Sequence, residues 1–305
     1  MILRAMSEER EIGGPIRIGP AGWSYRDWEG IVYPAGLRSD RLLYLASFVD
    51  CVELNSSFYR DPSPGMVDGW ARRLASVPRF RLCVKVPGRF THRREGGPSD
   101  YDRFIRTFEP LTERGQAGPF LLQFPWSLRF DGGARDLIRR LGDSFRGHDA
   151  VVEVRHGSWD DPAARRLLAD CGFALCSIDQ PVIGDSLSPA EHATIPDFGY
   201  IRLHGRNYRD WFREGAGRDA RYDYCYTPAE MEEWAGRARR LLGSVSRLFV
   251  ITNNHFRGQA LVNAFQLRSI LETRRVRAPR TLIESYPQQL AGYADPSGPW
   301  ADTLF

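Results

Sequence analysis

Forty-one arginines but only one lysine, Lys85, carry the positive charge of this 305-residue chain. Arg and Lys exchange freely where only a solvated charge is needed, but not where a compact ammonium must fit or an amine must lose its proton. Lys85 closes the apolar run Arg81-Leu82-Cys83-Val84-Lys85, which Val86-Pro87-Gly88 cuts off, so it reads as a working group at a strand end. Other polar groups close similar runs: Glu53 and Asn55, Gln123, Glu153 with Arg155 and His156, Asp179, His204 with Arg206, and Asn253-Asn254-His255. Lys85, Glu53, Glu153, His204 and Asp179 are the titratable set suited to proton transfer, and are assigned as catalytic. Lys85, Arg155 and Arg206 with Gln123, Asn253 and Asn254 suit forked recognition of a phosphate or carboxylate. Arg17 and Arg202 come early in their runs and read as core partners of the carboxylates, because buried charges persist when paired.

Metal binding is the competing chemistry. Glu53, Glu153, Asp179, His204 and His255 are competent ligands, yet each carboxylate shares its layer with a fixed cation. Only His92, His156, His204 and His255 could serve a zinc cluster, which is too sparse a set, so no metal and no cofactor is expected. Cys83 reads as a packed thiol.

Aromatic residues gather after the first and seventh runs. Trp23, Tyr25, Trp28 and Tyr33 follow the first; Tyr208, Trp211, Phe212, Tyr222, Tyr224 and Tyr226 follow the seventh, mixed with Arg209, Arg213, Arg218 and Arg221. Such mixing suits stacking on bases or sugars, or the packing of a lid. The connection from Gly205 to Thr227 is longer than a structural link needs. The expected substrate-binding set is therefore Asn55, His92, Gln123, Arg155, His156, Arg206, Asn253, Asn254, Trp23, Tyr25, Trp211 and Tyr222.

These groups need elements to hold them. Apolar runs begin near Ile16, Cys51, Arg81, Pro119, Ala150, Phe173, Gly199 and Arg247, and helical patterns lie between most of them. Ser188-Pro189-Ala190-Glu191 and Thr227-Pro228-Ala229-Glu230 both read as helix starts with a capping box; Ser63 and Ser158 read as simpler caps. Strand and helix alternating eight times predict an α/β fold, one (β/α)8 TIM-type barrel with a long loop after strand 7. No glycine-rich phosphate loop follows the first strand, which argues against a doubly wound sheet. Strand alternation directs Arg17, Glu53, Cys83, Lys85, Glu153, Arg155, Arg202 and His204 inward, with Asp179 as a third inward carboxylate. Residues 16–280 form the expected barrel, 1–15 a mobile tail without a signal-peptide core, and 281–305 a C-terminal extension.

Composition bounds the setting. With 42% apolar and 26% charged residues and no apolar run of membrane-spanning length, no membrane partner is expected. Five cysteines without CxxC spacing read as reduced thiols of a cytoplasmic protein. The net charge of +4 leans weakly towards an anionic small molecule or nucleic acid; it does not point to any protein partner.

The ordered motifs Gly22-Trp23-Ser24-Tyr25, Val52-Glu53-Leu54-Asn55-Ser56-Ser57-Phe58-Tyr59, Gln123-Phe124-Pro125, Val152-Glu153-Val154-Arg155-His156, Leu203-His204-Gly205-Arg206-Asn207 and Asn253-Asn254-His255 resemble the domain of unknown function 72 family, the YecE-like proteins. The likeness runs from about Ile18 to Ala264. It implies a TIM-type barrel similar in outline to those of endonuclease IV and xylose isomerase, and it supplies no reaction. The residues themselves suggest an enzyme, a hydrolase or isomerase, acting on a phosphorylated or sugar-containing substrate, possibly a nucleic acid, at the C-terminal mouth. The alternative is a non-catalytic nucleic-acid-binding protein that uses the aromatic and Arg rim.

Overall fold

Each apolar run becomes a strand, and the eight strands lie parallel in one sheet ordered β1-β8-β7-β6-β5-β4-β3-β2. They are β1 (Ile16–Pro20), β2 (Cys51–Leu54), β3 (Arg81–Lys85), β4 (Ala117–Gln123), β5 (Ala150–Glu153), β6 (Ala174–Asp179), β7 (Gly199–Leu203) and β8 (Leu248–Thr252). This computed structural model describes residues 14–296 except Phe212, Glu214, Ala216 and Gly217, and leaves aside the side chains of Arg218 and Asp219. Most of the expected N-terminal tail, Phe212 of the aromatic rim, the Arg218 side chain and residues 297–305 therefore lie outside the described residues.

The barrel closes between β1 and β2 through the Ala21–Glu53 bridge, with Gly22 N donating to Glu53 O at 2.8 Å and Asp50 N to Ile18 O at 3.1 Å. The approach is so close that a Cβ on Gly19 would lie 1.7 Å from the Cys51 carbonyl oxygen; no other residue fits there. The fold is a (β/α)8 TIM-type barrel, with helices between the strands and a core of side chains from both layers. Between β6 and β7, residues 188–198 contain no helix. The capping signal at Ser188–Glu191 fails because no amphipathic run follows it: Pro196 stops the chain and Thr194 Oγ1 is held by the backbone of Phe173 and Leu175. Glu191 instead pairs with Arg237 and Arg240. Ser158 lies inside a short 3-10 turn, and Asp161 caps the helix Pro162–Asp170.

Thr227, Pro228 and Glu230 do start the helix Pro228–Leu242, with the reciprocal capping bonds formed. After β8 the helix Gln259–Glu272 is buried on nearly every face, because residues 276–296 fold over its outer side. That cover includes a two-stranded pair, β9 (Val276–Ala278) with β10 (Ala294–Pro296), and a buried Leu282. Among the described residues, no helix is long and apolar enough to cross a membrane.

Candidate functional site

The register fixes which side chains look inward. Glu53 aligns with Cys83, Gln123 with Glu153, Ile178 with Arg202 and Tyr200 with Phe249, so these form one interior phase. Arg202 stands at the centre, 1% exposed, with Nη2 2.6 Å from Glu53 Oε1 and Nη1 2.5 Å from Glu153 Oε2. Tyr200, one step below, donates its hydroxyl to Glu53 Oε2 at 2.9 Å. Glu153 Oε1 accepts Nε and Nη2 of Arg155 at 3.0 and 2.8 Å and lies 3.3 Å from His204 Nε2. Burial pushes the Glu153 carboxyl up, but the Arg202 and Arg155 guanidinium groups and the hydrogen bond from His204 outweigh it and hold the group well below the usual carboxylate range.

Two carboxylates and two guanidinium groups thus balance one another. His204 adds no charge, since burial brings its pKa down to about 3 against the upward pull of Glu153. Its Nδ1 faces Asn253 Nδ2 at 2.9 Å, which suits a neutral ring with the proton on Nε2. Between the ordinary 6.5 and about 3, the unfolded chain binds this proton and the folded chain does not. Stability contributed by neutral His204 is therefore lost as pH falls through that window. His204→Gln should flatten the acid limb there; urea titrations across the window test this, and equal slopes for parent and variant would refute it.

Lys85 is the remaining cation. Its Nζ lies 4.2 Å from the Phe58 ring centroid, and among the described residues no carboxylate pairs with it. Burial above all, then Arg202, lowers its pKa to about 7, although Glu153 and Glu53 pull the other way. His92 lies edge-on to the same Phe58 ring and is pushed down to about 4 by burial, Lys85 and Arg155.

Above this floor the mouth holds two spaces that share part of their lining. An outer cleft of about 510 Å³ is walled by Phe58, Tyr59, Trp126, Trp211 and Tyr222, with His92, Gln123, Gln180 and Arg221 among its polar groups. An inner space of about 70 Å³ is bounded by Tyr25, Asn55, Asn253, His255 and Arg202. Lys85, Arg155, Tyr59 and Tyr222 line both.

The expected residues divide accordingly. Lys85, Glu53, Glu153, His204, Asn55, His92, Gln123, Arg155, Asn253, Tyr25, Trp211 and Tyr222 come together at the mouth or in the floor beneath it. Asp179 does not. It aligns with the outward Leu203 and meets Trp234 Nε1 of the helix Pro228–Leu242 at 3.1 Å. Arg206 follows it outward, bonding Asp179, Glu230 and Glu233, so it lies behind the barrel wall and not at the mouth with Lys85 and Arg155. His156 caps a turn through Ser158 N, and Asn254 holds Tyr224 O and Asn263. Trp23 packs on Trp70 at 5.8 Å. Arg17 has the interior phase but sits at the opposite mouth, donating to Arg79 O, while Arg202 does join the core network.

Sequence reasoning missed Gln180 and Trp126. Gln180 shares the interior phase of Cys176 and Ile178, a signal that alternation along β6 carried. Trp126 stands beyond Pro125, where strand alternation no longer applies. Among the described residues, no group of three or more His, Cys, Asp or Glu side chains is arranged to hold a metal ion.

The loop Gly205–Thr227 is rooted firmly at both ends. Gly205 N donates to Tyr226 Oη at 2.8 Å, and Tyr224 donates to Glu230 Oε1 at 2.7 Å. Gly205 has φ +93°, and a Cβ there would lie 2.8 Å from Tyr224 Cβ.

The comparisons fit this architecture. A DUF72 family protein of Thermotoga maritima is 32% identical, with a TM-score of 0.75 over 84% of this chain and 99% of that one. A second, from Enterococcus faecalis, shares the fold at 23% identity and a TM-score of 0.75, over 84% of this chain and 95% of that one. Among curated proteins, UPF0759 protein YunF of Bacillus subtilis is 27% identical over 84% of this chain and 95% of its own length. UPF0759 protein YecE of Escherichia coli K12 is 32% identical over 46% and 48% respectively. With residues 17–288 matching the family described as protein of unknown function DUF72, the chain belongs to that family.

Proposed function

We propose that the protein is an enzyme that binds a phosphorylated or sugar-containing anion at the C-terminal mouth of the barrel. One observation carries this reading: Lys85 opens on both spaces with no carboxylate partner among the described residues, above a floor whose other charges are already matched. A negative ligand therefore finds a cation that costs no existing ion pair. Arg155 adds Nη1, which has no partner among the described residues, and the aromatic walls suit a ring or sugar face. Gln123 and Gln180 supply amides for hydroxyl or ring nitrogen contacts; the buried Gln180 Oε1 has no partner among the described residues. Lys85 near neutrality can hold or release a proton at working pH, which Arg cannot.

Tyr59 at 76% exposure, Tyr208 at 56% and Trp126 at 38% favour a second reading, in which the rim alone binds a nucleic acid without chemistry. Thermal unfolding of the parent and Lys85→Arg with inorganic phosphate, sugar phosphates and short oligonucleotides separates the two. Ligand at 100 times its Kd stabilises by about 2.7 kcal/mol, and Lys85→Arg should lose more than half of that. Equal shifts in both proteins would remove Lys85 from the site and leave the rim.

A further inference from the structure

We propose that Lys85 is a nucleophile that forms an iminium with a small carbonyl compound bearing a carboxylate or phosphate, an inference that rests on reading this pocket as an anion site. The amine has no acceptor and no counter-ion among the described residues, and it lies over the Phe58 ring face, 4.2 Å from the centroid. It stands where the inner and outer spaces meet, so a carbonyl carbon can reach Nζ with substituents extending into both. Arg155 lines the same junction, with Nη1 available for the anionic group once Nε and Nη2 are spent on Glu153. Asn55 Oδ1, buried and without a partner among the described residues, offers an acceptor for a hydroxyl in the inner space.

The sequence supplies an independent reason. A purely ion-paired role is open to Arg, which holds every other Lys or Arg position of this chain, but a guanidinium does not condense with a carbonyl. Burial and Arg202 bring the amine near neutrality at about 7, which supplies the unprotonated form for attack.

The step balances without any further reagent. Neutral Nζ attacks the carbonyl carbon; one N–C bond forms and the carbonyl π bond breaks. A proton passes from nitrogen to oxygen to give a carbinolamine. The C–O bond then breaks and the oxygen leaves as water, taking one solvent proton. The product is a protonated imine that keeps the positive charge once held by the Lys85 ammonium, so the floor retains its balance. Such an iminium withdraws electrons from the adjacent carbon, where a C–H or C–C bond can then be broken.

The lone lysine makes the test direct. The full-length protein is incubated with borohydride and pyruvate, dihydroxyacetone phosphate or acetone, and the adducts are read by intact mass and peptide mapping. One adduct at Lys85 is expected with an anionic carbonyl, forming at least about ten times faster than with uncharged acetone, the excess of one 1.4 kcal/mol anchoring contact. Inorganic phosphate should protect against it, and Lys85→Arg should show none. The pyruvate and dihydroxyacetone phosphate arms decide between carboxylate and phosphate as the anchoring group. Should Lys85→Arg fail to fold, phosphate protection and the acetone comparison are both read on the parent. No Lys85 adduct, or equal labelling by acetone, overturns the nucleophile. If phosphate still raises the unfolding temperature, the anion site survives that result; if it does not, the anion reading fails as well.

Discussion

Arg202→Met should be among the most damaging single substitutions in this chain. Its guanidinium is 1% exposed and joins Glu53 to Glu153 across the barrel, both of which are themselves fully buried. Removing one partner of a buried pair costs about 3–5 kcal/mol because the other charge is stranded. Here two carboxylates lose their shared cation, so the effect belongs at the upper end of that range. At roughly 2–4 °C per kcal/mol, the midpoint of thermal unfolding should fall by about 10 °C or more. Two further measurements identify the cause. The deficit should narrow as pH falls, since the stranded carboxylates can then take up protons. Adding Glu53→Gln should recover part of the loss, because Glu153 keeps Arg155 as its partner and the network is neutral again. An Arg202→Met midpoint within about 2 °C of the parent would show that the network does not hold the barrel together.

Lys85→Met should act in the opposite direction on stability while removing function. The folded-state pKa of Lys85 is about 7 against an ordinary 10.5. Between those values the unfolded chain binds the proton and the fold does not, so the parent gains stability as pH rises through the window. Below about 7 both states are protonated and the cost of the desolvated ammonium is complete. Each pKa unit corresponds to about 1.36 kcal/mol, so a Met of similar length should stabilise the neutral and acid forms by on the order of a few kcal/mol. The variant should also lose the upward slope between pH 7 and 10.5, together with stabilisation by phosphate. Such a pairing of gained stability with lost binding is the mark of a group kept for function. Denaturant titrations across that range decide it: a variant with the parent's slope and phosphate response would show that Lys85 is solvated and idle.

Strand alternation makes the barrel floor legible in the sequence alone. A period of two, applied to Val52-Glu53-Leu54, Val152-Glu153-Val154 and Ile201-Arg202-Leu203, places two acids and an arginine inside, and parallel closure brings them face to face. Lys85 was legible for a different reason, its survival as lysine among 41 arginines. The TIM-type barrel followed from eight alternations of strand and helix, and its C-terminal mouth from where the polar groups end each strand.

Tertiary structure decided the rest. Asp179 closes its strand as Glu53 and Glu153 close theirs, but it falls on the opposite phase. Its register with the outward Leu203 and the position of Trp234 on the following helix show that it and Arg206 serve the outer wall. The signal at Ser188–Glu191 matches the one at Thr227–Glu230 residue for residue in type, yet only the second has an apolar face behind it to bury. Beyond each strand end the period of two lapses, so the directions of Trp23, Trp126, His156 and Asn254 depend on the partners that fold against them. Local periodicity thus determined which charges share the interior. The packing of helices and loops around the barrel determined which of the remaining polar groups reach the mouth, because those contacts join residues far apart in the chain.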